Sequence, residues 1–94
     1  MDFTGKYVIV RCDRAGVHIG TLAKRTGREV ALTDSRRIWS WEGAFTLSAI
    51  AQKGIKRGRL STTVPSILLL DAIEIIPTTA EAQKNLSGMK DHTP

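Results

Sequence analysis

The sequence predicts an α+β fold that is mainly β: a small bent antiparallel sheet or SH3-like partial barrel carrying two short helices. Three observations lead there. From Lys6 to Trp41 the apolar residues alternate in short runs whose connections are too brief for a crossover helix, which demands antiparallel pairing. After Gly43 the spacing turns helical, with Leu47, Ile50 and Ala51 at i, i+3 and i+4. Near the end, Thr78-Thr-Ala-Glu81 has the form of a capping box, with Thr78 as the cap of a second helix reaching about Leu86.

Lys6 to Arg11 sets Tyr7, Ile9 and Arg11 against Val8, Val10 and Cys12, the β-branched alternation of a strand. Asp13 to Gly16 is a turn, and Val17 to Lys24 the next strand, where Gly20 marks a bulge or bend. Arg25-Thr-Gly-Arg28 closes a hairpin into Glu29 to Thr33, and Asp34-Ser35 is read as a turn before a separate strand, Arg36 to Trp41. Thr46 to Lys53 is a helix stopped by Gly54, and Ile55 to Arg59 a basic loop. Leu60 to Val64 is a short edge segment before Pro65. Ile67 to Ile76, the most apolar stretch, is expected as the central strand, bent near Asp71. Residues 1–86 then make one globular domain and 87–94 a flexible tail.

Composition limits the function classes. The chain has 94 residues, 41% of them hydrophobic, enough for one modest core and against wholesale disorder. A net charge of +5 favours phosphate-bearing or polyanionic partners. The single cysteine, Cys12, excludes an internal disulfide and reads as a small buried hydrophobe, which suits a reducing compartment. The longest apolar run, Ile67 to Leu70, is far below the roughly 20 residues a spanning helix needs, so no membrane partner is expected. The amino terminus has no signal-peptide pattern, so secretion is not expected.

The block Arg36-Arg-Ile-Trp-Ser-Trp-Glu-Gly-Ala44 holds both tryptophans. As an unbroken strand it would set Arg37, Trp39 and Trp41 on one face and Ile38, Ser40 and Glu42 on the other. Indoles stack on bases and guanidinium forks grip phosphate, so Arg36, Arg37, Trp39 and Trp41 are the candidate ligand-binding residues. Arg11 and His18 are weaker contributors from neighbouring strands. The same residues also fit a core strand with solvated arginines. The search for chemistry ends without catalytic residues: His18 and His92 are far apart, no serine sits in a nucleophile elbow, and no Walker-type loop occurs. No metal site and no cofactor are expected, and the protein is read as non-enzymatic.

Several runs together carry a resemblance: Val10-Arg11, Ala15-Gly-Val-His-Ile-Gly-Thr-Leu22, Gly27-Arg-Glu-Val30, Leu32-Thr33, Arg36-Arg-Ile-Trp-Ser-Trp41, Gly43-Ala44, Leu47-Ser48 and Ala72-Ile-Glu-Ile-Ile76. They resemble an uncharacterised family of small phage and prophage proteins over roughly residues 6 to 86, the Arg-Arg-Ile-Trp-x-Trp-x-Gly-Ala block being the most specific part. The resemblance implies a phage origin and supplies no catalytic residues. With the aromatic and basic block, it leads to a working expectation. The chain would be a homo-oligomeric anti-defence sponge that sequesters a nucleotide immune signal, a cyclic nucleotide or ADP-ribose derivative, between subunits in the host cytoplasm. A virion structural protein and a nucleic-acid-binding accessory protein are the alternatives.

Overall fold

The longest strand is the spine on which the rest is hung. In the computed structural model, which describes residues 1–93, the elements in chain order are β1 (Tyr7–Cys12), β2 (Val17–Thr26), β3 (Glu29–Glu42), α1 (Leu47–Lys53), β4 (Arg57–Leu60), β5 (Val64–Leu69), β6 (Ala72–Pro77) and α2 (Ala80–Ser87). β3 pairs β2 along one edge, while its other edge takes β5 along Val30 to Ser35 and β4 along Ile38 to Glu42. β1 lies between β2 and β6. All pairings are antiparallel, and the sheet curls into a half-barrel, as the alternation and short connections predict.

The curl has local causes. Between Ile19↔Arg36 and Thr21↔Thr33, β3 spends two residues, Asp34 and Ser35, against the single Gly20 of β2. Asp34 takes a positive φ of 50° there, which aspartate tolerates better than most residues. Gly20 is required by space: a Cβ on it would lie 3.0 Å from the Thr33 carbonyl oxygen and 3.1 Å from Ser35 Cα. A second bulge, at Ala23 between Leu22↔Leu32 and Lys24↔Ala31, bends the hairpin further. Its tip then reaches the β5–β6 turn, where Ala72 N–H donates to the Arg28 carbonyl at 3.0 Å and Arg28 pairs with Asp71 at 3.1 Å.

Each face of the sheet buries its own cluster. Inside the curl lie Val8, Val10, Cys12, Leu22, Val30, Leu32, Leu69 and Ala72. On the outside, Tyr7, Ile9, Ile19, Ile38 and Leu60 meet Ile50, Ala51, Ile55 and Leu86 from the two helices and the loop after α1. A fully buried Ile or Leu of this kind contributes about 1.5–3 kcal/mol relative to an exposed one. Thr46 caps α1 by accepting from Ala49 N–H. Asn85 of α2 clasps Ile55 by accepting from its N–H at 2.9 Å and donating to its carbonyl at 3.0 Å.

Four sequence expectations change. Asp34-Ser35 is a bulge within one 14-residue strand, not a turn between two. Arg57–Leu60 is strand β4 rather than a basic loop, because alternation places Leu60 in the core opposite Ile38. The apolar 67–76 stretch is no central strand: the break at Leu70-Asp71 sends β5 to β3 and β6 to β1, at opposite margins of the sheet. Thr79, not Thr78, caps α2, accepting from Ala82 N–H, while the Thr78 hydroxyl donates to the Tyr7 carbonyl. Beyond α2, His92 N–H donates to the Leu60 carbonyl; Pro94, the end of the expected tail, lies outside the described residues.

Candidate functional site

Arg36 and Arg37 point to opposite sides of β3, and only one remains available to a ligand. Arg36 sits opposite Ile19 on the helix-covered side and is 2% exposed. Its Nε donates to the Ser61 carbonyl at 2.9 Å, one terminal nitrogen to the Leu86 carbonyl at 2.8 Å, and the other to Asp91 Oδ1 at 3.0 Å. It therefore ties the β4–β5 connection, the carboxyl end of α2 and the chain beyond into one knot. A cation on a late α2 carbonyl also lies at the negative end of the helix dipole. Arg36 is thus a structural clamp, which removes it from the phosphate site the sequence suggested.

Arg37 lies across from His18 on the inner side. Its Nε is buried and meets no acceptor among the described residues, and the side chain as a whole is half-buried. Its charge acts on both the Cys12 thiol and the His18 imidazole. Burial, the larger cause in each case, pushes the thiol up and the imidazole down, so both groups are held neutral near neutral pH. His18 is buried, with Nε2 2.9 Å from the Ala15 carbonyl, and presents no free ring face to a ligand.

The two tryptophans part company at a third bulge. Ile38 pairs with Leu60, but Ser40 rather than Trp39 pairs with Arg59. Alternation turns Trp39 away from the Ile38 side, the bulge keeps Ser40 there as well, and Trp41 returns to the helix side. Trp39 is accordingly 56% exposed. Trp41 packs on the outer cluster, and its indole N–H donates to the Ala44 carbonyl at 3.1 Å. A Cβ at Gly58, opposite Trp41, would lie 2.5 Å from the Ser40 carbonyl oxygen, so β4 can approach here only with glycine.

The six sequence-chosen residues therefore do not form one constellation. Arg37 and Trp39 share the inner side of β3, with His18 buried beside Arg37. Arg11 lies with Trp41 on the other side, around a groove of about 430 Å³, where it is engaged with Glu74 at 3.2 Å. Arg59 joins Arg37 and Trp39 instead: it is exposed, its Nε donates to Ser40 Oγ at 3.0 Å, and it has no carboxylate partner among the described residues. Reading 55–59 as a loop concealed it; its alternation with Leu60 was the available signal. Arg57, by contrast, is tied to Glu42 at 2.7 Å.

An exposed indole that shares its side of the sheet with two guanidinium groups is an open patch that can stack a flat ring and contact phosphate. A hollow of about 890 Å³ is elsewhere, bounded by Phe3, Leu22, Lys24, Arg25, Arg28 and Ile75 among others. Residues 5–86 match the family model of a domain of unknown function, DUF6948. The chain belongs to that family. The family match covers β3 with Arg37 and Trp39, and β4 with Arg59, and carries no assigned chemistry. No curated protein and no solved structure matches the chain. Among the described residues no group of three or more His, Cys, Asp or Glu is placed to hold a metal ion, and no helix is long and apolar enough to cross a membrane.

Proposed function

We propose that this DUF6948 protein is a non-catalytic binder of a nucleotide-like ligand, stacking a base or ring on Trp39 and placing phosphate against Arg37 and Arg59. The observation that supports it most is an exposed tryptophan on the same side of the sheet as two arginines that have no carboxylate partner among the described residues, in a chain of net charge +5. Forked guanidinium donors suit phosphate, and a lysine in either place would keep the charge but lose the paired geometry. In the phage setting that the sequence resemblance suggests, such a binder would act as a sponge for a cyclic nucleotide or ADP-ribose derivative. The patch is open rather than enclosed, so a small ligand would be covered by a second copy.

That same openness favours one further reading, a single-stranded nucleic acid lying across the patch. Calorimetry against cyclic nucleotides, ADP-ribose derivatives and short oligonucleotides separates the two. A small ligand bound stoichiometrically and recovered intact after denaturation supports the sponge; preference for oligonucleotides with a steep loss of affinity in salt supports nucleic acid. Binding that survives both Trp39→Ala and Arg37→Ala in folded protein removes the patch from either account, and recovery of a cleaved ligand removes the non-catalytic one.

A further inference from the structure

The hollow of about 890 Å³ is walled by residues 1–4, by the β2–β3 hairpin over 22–28 and by the start of β6 over 72–75. It lies at the hairpin end of β3, whereas Trp39 is near the other end of that strand. Leu22 on its wall belongs to the inner cluster, and Phe3 and Ile75 pack against that cluster, so the hollow opens from the inside of the curl. The amino-terminal wall is fixed to β2, because Gly5 N–H donates to the Leu22 carbonyl at 2.8 Å and Leu22 N–H to the Lys6 carbonyl at 2.9 Å. Ile73, 45% exposed, extends the apolar surface outward.

The charges on this wall are unevenly satisfied. Its acids are engaged: Asp2 accepts from the Thr4 N–H at 2.9 Å, and Glu74 pairs with Arg11 at 3.2 Å. Among its cations, Arg28 pairs with Asp71 at 3.1 Å, but Lys24 and Arg25 have no carboxylate partner among the described residues. Arg25 stands in register with Val30, a buried member of the inner cluster, so its side chain leaves β2 on the inner side. Its Nε donates to the Gly27 carbonyl at 2.9 Å, which leaves the terminal nitrogens for another acceptor. An aliphatic wall beside two unpaired cations is complementary to a molecule that is apolar at one end and anionic at the other. The geometry points to this hollow as a binding site for a small amphiphilic carboxylate, with its acyl chain against Leu22, Ile73 and Ile75 and its head on Arg25 and Lys24. A nucleotide suits it less. Phe3 is the one aromatic side chain on this wall among the described residues, and the Lys6 ammonium already lies 5.8 Å from its ring centroid.

This inference is independent of the Trp39 patch, which lies along the β4 half of β3. Calorimetry of the full chain tests it with decanoate as probe, butyrate as the same head without the chain, and decanol as the same chain without the charge. One decanoate per chain, bound at least about tenfold more tightly than butyrate or decanol, is the expected result. Arg25→Glu places an acid at the head and Ile73→Glu one at the chain; both residues are exposed, so the variants should fold, which circular dichroism checks. Each should weaken decanoate by about tenfold or more, while Lys53→Glu, the same charge change as Arg25→Glu made on α1 across the sheet, should leave it within about twofold. No decanoate binding at millimolar concentration overturns the inference, and decanol bound as tightly as decanoate removes the cations from it. Decanoate binding unchanged in both Arg25→Glu and Ile73→Glu, or weakened as much by Lys53→Glu, overturns it equally, by moving the ligand elsewhere or reducing its hold to net charge.

Discussion

Arg36 and Arg37 are adjacent and chemically identical, yet one is fastened inside the fold and the other is half-buried with its Nε lacking an acceptor among the described residues. Trp41 and Trp39 repeat the contrast two residues on. The difference is one of sides. The outer side of β3 is roofed by α1, α2 and the chain beyond, and there Arg36 meets the Ser61 and Leu86 carbonyls and the Asp91 carboxylate. Along Arg37 to Ser40 the inner side has no such roof. A basic aromatic run can therefore serve stability and recognition at once, with alternation and a bulge deciding which residue does which.

The largest expected effect breaks this contrast most directly. Arg36→Ala leaves two carbonyls and Asp91 without their donor, and leaving a buried acceptor unpaired costs about 1–3 kcal/mol for each group. Arg37→Ala removes a side chain with no such bonds from its Nε and should stay within about 1 kcal/mol. Urea unfolding of both variants measures the difference; equal losses would mean that the two sides are not distinct. Next in size is Trp41→Ala, expected to cost about 2–4 kcal/mol because a half-buried indole leaves the outer cluster and Ala44 loses a donor.

The first two strands, the antiparallel pairing and both helices were legible because period-2 and period-3.6 patterns are local, whereas β4 read as a loop and β5 and β6 as one strand. The bulges at Asp34 and Trp39 were not, since each is defined by the partner strand, Gly20 in one case and Arg59 in the other. Without the bulge at Trp39, Trp39 and Trp41 would share a face, and that is why the sequence offered both indoles to one site. Arg36 likewise read as a ligand contact because its acceptors, Ser61, Leu86 and Asp91, lie between 25 and 55 positions away. Residue chemistry was visible in the sequence; the roof over one side of it was not.

Two buried titratable groups, one on each side, sharpen the comparison through pH. Tyr7 belongs to the outer cluster, its hydroxyl has no acceptor among the described residues, and burial pushes its pKa from 10.0 up to about 12. Between those values the unfolded phenol loses its proton first, so the unfolded state binds fewer protons and stability falls as pH rises, by at most about 2–3 kcal/mol. Tyr7→Phe should abolish that alkaline loss and cost little at neutral pH. On the inner side, burial holds the His18 imidazole below 6.5, so on acidification the unfolded state takes up the proton first and stability falls as pH drops through 6.5. Denaturant titrations from acid to alkaline pH should show both losses, with the acid one absent in His18→Gln.

The smallest expected effect on stability falls on Trp39. A side chain 56% exposed at a bulge contributes little packing, so Trp39→Phe should alter the unfolding free energy by no more than about 0.5 kcal/mol. Fluorescence makes the contrast testable without any ligand. In Trp41→Phe the remaining indole is Trp39, which should emit at longer wavelength and be readily quenched by acrylamide. In Trp39→Phe the remaining indole packs on the outer cluster with its N–H engaged by Ala44, and should emit further to the blue and resist quenching. If the two single-tryptophan proteins quench alike, the bulge does not separate the indoles and the exposed stacking surface is lost. If they differ as expected, a nucleotide added to both should perturb the Trp39 emission more, because that indole is the more exposed of the two.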